Sequence, residues 1–530
     1  MRSLGRGPRA CDEPSIGIVE HKIRFGGAPN DPTRGDTTPM PSTREPWTRR
    51  FGPAIGACGA VAATGVLAPD AVAQTVLAAV AAVLAALDGV FMAATSALLL
   101  IAAWIALGRH GRRRLGPDDA RPEFSTFAWV SMLFAAGMGS GLMFWGVAEP
   151  VTHAAAPPFG TPGDPRLALA ITNVHWGLHA WAIYGVAALV LGYFHFCRGT
   201  DYLPGAPIRA VTPGRLGRAL GAVADLVGVL AIAFGVAGSV GMGVLQIRSG
   251  LGAAFDVPAD GAGPSLAILA VLVVAYTASA VTRLDRGIKW LSTINVVVAI
   301  GFLLLLLAYG DTLARLSAFA MSFADYVAVL VPISTMSGPW ADTSSWLHEW
   351  TLAYFIWWVA WAPFVGVFVA RISRGRTLRE FVVAVVLIPT VFSMLWFTVL
   401  GGTAIAIDAD GAIATTAVAD PPRALFAMLQ ALPGAAISSA VAVVLVFLFL
   451  VTSVDSAAYV LGMITSGGDA NPPAGRKLAW GVVLGLLGVG PVVSGRVDVI
   501  KAIAIVGAIP FTLVLGLQTA ALLVALRRDR

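Results

Sequence analysis

After residue 50, long apolar runs separated by short polar connections repeat along the whole chain. A helix crosses the hydrocarbon of a bilayer in roughly 20 apolar residues. Twelve runs meet that need, at about 52–69, 87–108, 126–148, 168–197, 222–252, 264–282, 288–310, 351–371, 380–401, 435–465, 477–495 and 500–526. Several are longer, so tilt or extension beyond the bilayer is expected. Residues 70–86 are apolar and Ala-rich and extend a helix outside. The segment 311–350 mixes apolar and polar residues, holds Trp340, Trp346 and Trp350, and suits an amphipathic helix lying at the interface. The pattern predicts an all-α polytopic membrane protein of about 12 transmembrane helices.

The polar connections orient the chain. With the amino terminus inside, the alternate loops at 109–118, 198–221, 283–289, 371–379, 466–478 and the tail 527–530 carry 20 Lys and Arg, against about five in the opposite set. Both termini are therefore expected in the cytoplasm of a multi-pass protein of the cell (plasma) membrane. Residues 1–50, rich in Pro, Gly, Arg and Thr without periodicity, read as a disordered cytoplasmic tail.

Composition agrees and excludes other classes. The 530 residues are 57% hydrophobic and only 12% charged. The net charge of +6 belongs to basic loops, and no nucleic-acid partner is expected. Cys11, Cys58 and Cys197 are far apart and form no ligand motif. No cofactor is expected.

Candidate chemistry lies inside the spans. Trp357, Trp358 and Trp361 fall within an arc of about 100° on a helix, and Pro363 after them removes a backbone donor and loosens the helix. Such ring faces suit an organic cation, although indoles also serve membrane belts and helix packing. Trp176, Trp181 and Tyr184 fall within about 140° on the fourth span and could face them. The third span carries Gly137, Gly139 and Gly141, either a helix break that exposes backbone groups or a close-packing face. His175 and His179 could shuttle protons or serve as hydrogen-bonded structural residues. Glu149-Pro150, just outside the third span, reads as the end of that helix rather than as a proton carrier. Thr452 and Ser453 could ligate sodium or bond back to their own helix. Asp455 reads as structural, paired with a cytoplasmic arginine.

Taken together these stretches resemble the betaine/carnitine/choline transporter family. The matching strings are Met132 to Gly139, Glu149-Pro150, His175 to Tyr184, Trp357 to Gly366, Ala370 to Thr377 and Arg379-Glu380. The resemblance covers roughly residues 50–525. It implies a LeuT-type core of two inverted five-helix repeats. Residues 126–310 (spans 3–7) would form the first repeat and 351–526 (spans 8–12) the second, with two peripheral helices in 51–125. It also implies a homotrimer in the lipid bilayer and a small quaternary ammonium substrate. The ammonium would be held by Trp176, Trp181, Tyr184, Trp357, Trp358 and Trp361, and the substrate carboxylate by the backbone near Met138 and Gly139.

The resemblance also bears on energy coupling. One sodium ion would use the backbone of Ala135 and Met138 with Phe449, Thr452 and Ser453, all present here. A second ion would use two fifth-span hydroxyls, but one position is Val236 and only Ser239 remains. Lys289 stands where sodium-independent relatives tend to place a basic residue, and it is also an ordinary position for a snorkelling lysine. Coupling is left between Na+ and H+, with protons slightly favoured. Gly141, where choline-type relatives often carry an acid, favours a zwitterion such as glycine betaine. The expected function is import by alternating access, with exchange or a non-transporting sensor as alternatives. An enzyme is not expected, since neither the histidines nor the cysteines have catalytic or metal spacing.

Overall fold

The computed structural model describes residues 47–529 except 138, 258–260, 282–284 and 338–342, with the backbone alone at 47–51, 134–137, 280, 281 and 285–292. The described residues form helices α1 (Trp47–Leu67), α2 (Pro69–Leu107), α3 (Thr126–Gly137), α4 (Ser140–Ala155), α5 (Pro165–Trp176), α6 (Leu178–Arg198), α7 (Ala206–Val211), α8 (Gly214–Phe255), α9 (Ala262–Val281) and α10 (Asp285–Ala308). They continue through α11 (Thr312–Ser334), α12 (Ser344–Leu347), α13 (Ala353–Ile372), α14 (Leu378–Ile407), α15 (Ala412–Ala419), α16 (Pro421–Gln430), α17 (Ala435–Thr465), α18 (Ala474–Ser494) and α19 (Val497–Arg528). Among the described residues, ten helical segments are long and apolar enough to cross a membrane. The protein is an all-α polytopic membrane protein.

Each of the twelve apolar runs became helix, but the breaks fall where the sequence only partly indicated them. The third run is divided as its glycines suggested: α3 stops at Gly137, Gly139 is extended (φ −125°, ψ −177°), and α4 begins at Ser140. Glu149-Pro150 does not end that helix, because α4 continues to Ala155. Pro150 is accommodated by Gly401 on α14, where a Cβ would lie 2.4 Å from the proline Cγ. The fourth run is also divided, at Gly177 (φ −102°, ψ −133°). There the Leu178 amide, left without a helical acceptor, donates to Tyr326 Oη of α11 at 2.8 Å.

The loosening expected at Pro363 is not a break. α13 runs through Pro363 to Ile372, and the irregularity lies upstream, in the π-helical turn His348–Leu352. A single missing donor is tolerated where the surrounding helices hold the segment, and α13 is packed between α6, α8 and α19. Within 311–350, α11 is itself a 23-residue apolar helix, and Trp346 and Trp350 pack inward against His153.

The 42-residue α8 is the central strut, contacting α13, α17, α18 and α19. Gly235 and Gly238 permit the approach: a Cβ would stand 2.9 Å from Ala360 Cβ at the first and 3.1 Å from Ala504 Cβ at the second. The arginine-rich turn after α13 closes one end. Arg376 lies over the Trp129 ring at 4.5 Å and donates to the Phe124 carbonyl at 2.6 Å, and Arg379 Nε donates to the Ala106 carbonyl at 2.7 Å.

An aromatic cavity inside the helical bundle

The broken and continuous spans enclose a cavity of about 250 Å3. The extended Gly139 and α4 bring Gly139, Ser140, Gly141 and Trp145 to it, the end of α5 brings Trp176, and α6 brings Tyr184. α13 brings Tyr354, Trp357, Trp358 and Trp361, while α17 brings Phe449, Thr452 and Ser453. No described lining residue carries a charge. A cation there would meet ring faces and backbone dipoles rather than a counter-ion.

The rings support one another edge to face, the geometry their quadrupoles favour. Trp358 meets Trp176 at 5.1 Å and 89° and Tyr184 at 5.2 Å and 81°. Its Nε1 donates to the His175 carbonyl at 2.9 Å, a group exposed by the break at Gly177. That break also means that Trp176 does not share a helix with Trp181 and Tyr184, so their common arc is not a property of one continuous helix. Trp181 is not among the lining residues. It stands behind them, 5.7 Å from Tyr184 and 6.4 Å from Trp358. Gly141 leaves room for the Trp176 indole, since a Cβ there would lie 3.0 Å from Trp176 Cη2.

The remaining candidates divide. Gly139 lines the cavity, whereas Met138 lies outside the described residues. Ala135 is in the last turn of α3 and Lys289 near the start of α10, and both side chains lie outside the described residues. Thr452 Oγ1 bonds back to Leu448 O at 2.9 Å. Ser239 also lines the cavity and bonds back to Gly235 O at 3.3 Å, while Val236 is buried away from it. Asp455 accepts from Ser279 Oγ at 3.1 Å, a partner not expected from the sequence.

Trp145, Tyr354, Phe392 and Trp396 also line the cavity, and none of them is among the residues singled out from the sequence. Tyr354 had a signal, since it lies three and four residues before Trp357 and Trp358 on one helix face. Trp396, which donates to the Leu142 carbonyl at 2.9 Å, had none.

A multi-pass helical protein with an uncharged aromatic chamber among its spans has the architecture of a small-solute membrane protein. Residues 50–530 match the model described as BCCT, betaine/carnitine/choline family transporter, and the chain belongs to that family, whose members are transporters and not enzymes. The chain is 36% identical over 473 residues to a protein named probable glycine betaine transporter from Desulfitobacterium hafniense (strain Y51), covering 88% of this chain and 94% of that one. An ectoine/hydroxyectoine transporter of Virgibacillus pantothenticus is 36% identical over 78% of this chain and 84% of its own. The high-affinity choline transport protein of Escherichia coli (strain K12) is 35% identical over 82% of this chain and 66% of its own.

Proposed function

We propose that the chain is a secondary active transporter of the cell membrane that imports a quaternary ammonium compound by alternating access. Glycine betaine is the favoured substrate, with choline or carnitine as further candidates. The observation that carries this reading is the uncharged cavity walled by Trp176, Tyr184, Trp357, Trp358 and Trp361. A quaternary ammonium cannot donate a hydrogen bond, and ring faces are the protein groups that favour it once desolvated. Gly141 supports a zwitterion over choline, since no carboxylate side chain enters there. The family expectations of twelve spans, two inverted repeats, cytoplasmic termini and a homotrimer are part of the same reading.

For coupling we favour protons over sodium. Val236 offers no oxygen to a second sodium ion. Thr452 donates to its own helix, yet its hydroxyl keeps lone pairs, so the first sodium site stays chemically open, whereas of the second site only Ser239 keeps a hydroxyl.

The test is uptake of labelled betaine, choline and carnitine into proteoliposomes. Betaine is expected to accumulate under an inward proton gradient with potassium replacing sodium. Strict sodium dependence would reject proton coupling. Uptake only into liposomes preloaded with substrate would make the protein an exchanger, and no uptake of any of the three would reject the substrate class.

A further inference from the structure

Beneath the cavity, α4 and α5 bring three ionisable side chains together, Glu149, His153 and His175, all fully buried. One ligand-type atom from each lies within 4.8 Å of the others. His175 Nδ1 is 2.6 Å from Glu149 Oε1, and its Nε2 is 2.9 Å from Thr351 Oγ1. The second carboxylate oxygen accepts from Trp176 Nε1 at 2.7 Å. His153 Nε2 is 3.5 Å from Glu149 Oε1, and neither of its ring nitrogens has a hydrogen-bond partner among the described residues.

These partners account for His175 as a neutral imidazole, with Nδ1–H donated to the carboxylate and the Thr351 hydroxyl donated to Nε2, a tautomer assigned from the network. They leave His153 unexplained. A buried, unbonded imidazole beside a buried carboxylate is costly if its only task is packing. The Tyr354 and Trp176 rings touch both the cluster and the cavity. His175 stacks on Tyr354 at 5.1 Å and 12°, and both Tyr354 and Trp176 line the chamber.

We propose that Glu149, His153 and His175 form the site of the proton carried with the substrate, an inference that rests on the proton-coupled reading above. Loading takes one proton from water. An N–H bond forms at His153 Nε2, the imidazolium donates to Glu149 Oε1, and the net charge of the trio goes from −1 to 0. Release on the other side breaks that bond and returns the proton to water. From α19 the Lys501 ammonium acts on His153, and Asp498 acts on Lys501. From the turn before α13 comes Glu349, whose carbonyl accepts from Lys501 Nζ at 3.3 Å, and from α6 comes His179. Coupling runs through Glu149, because the carboxylate that takes the new hydrogen bond also holds the Trp176 indole. Proton and substrate then bias one side chain, and the bias is reciprocal.

The test compares His153→Asn and Glu149→Gln with the wild type in proteoliposomes that hold a fluorescent pH indicator. Betaine accumulation under an inward proton gradient is expected to fall about tenfold or more in His153→Asn, and betaine-dependent proton entry to vanish. Betaine counterflow, which needs no net proton movement, is expected to persist in that variant at a reduced rate. Proton entry that survives in both variants overturns the site while leaving the proton-coupled reading standing. A wild type with no betaine-dependent proton entry overturns that reading and the site with it. Loss of counterflow along with accumulation in both variants assigns the cluster to structure and also overturns the proposal.

Discussion

Two aromatic cages lie side by side in this protein. In one, the Lys501 ammonium lies 4.8 Å from the Trp145 ring centroid, 4.6 Å from that of Trp350 and 6.0 Å from that of Tyr354. In the other, Trp176, Tyr184, Trp357, Trp358 and Trp361 wall the cavity, and no described side chain brings a charge into it. The cages use the same chemistry and share a border, since Trp145 and Tyr354 also line the cavity. The difference is the tether. A cation supplied by the protein's own helix turns rings into a stabilising contact, whereas rings braced edge to face without one keep a concave surface for a solute. Clustered indoles therefore do not identify a site until the tertiary structure shows what lies between them.

Three substitutions probe that contrast, in falling order of effect. Trp358→Ala removes the ring that joins the others, along with its bond to the His175 carbonyl. A desolvated cation–ring contact is worth about 2 kcal/mol, so betaine affinity should fall roughly 30-fold by isothermal titration, with the protein still inserted in the membrane. Unchanged affinity would place the cation elsewhere. Gly141→Asp introduces a carboxylate beside Trp176 and should shift the choice between betaine and choline toward choline by about tenfold, read from competition for labelled betaine uptake. A drop in both affinities without a change in their ratio would mean that crowding at Trp176, 3.0 Å from the new Cβ, outweighs the charge. Lys501→Met keeps the stem and removes the ammonium from the other cage. A loss of about 1–2 kcal/mol is expected, seen as a lower thermal-unfolding midpoint in detergent, with a far smaller effect on betaine affinity than Trp358→Ala. A 30-fold loss of affinity here would dissolve the distinction between the cages.

The candidate site was legible to different depths. The arc of Trp357, Trp358 and Trp361 could be read because α13 is a regular helix across those residues, and a regular helix converts spacing into direction. Trp176 lines the cavity, but it reaches the chamber from the end of a different helix than Tyr184, so the shared arc does not explain its place. Trp181 shows the opposite outcome, a residue on the right helix that backs the wall without lining it. Glu149 was read as a helix terminator because Pro150 follows it, and the small Gly401, more than 200 positions later, is what lets the helix continue.

What the sequence determined by itself was that its apolar runs form helices, with the division of the third as one of two readings of its glycines, while Thr312–Ser334, read as part of an interfacial segment, is also long and apolar enough to cross a membrane. Backbone groups in hydrocarbon must bond within their own helix, so apolar length predicts each span, and closely spaced glycines mark where that rule is relaxed inside protein. The tertiary structure decided the break at Gly177, the partners of Glu149 and His175, and which aromatic rings face a cavity rather than a lysine. Those outcomes depend on Tyr326, Thr351, Gly401 and Lys501, residues far away in the chain, and no local pattern specifies which distant side chain will arrive.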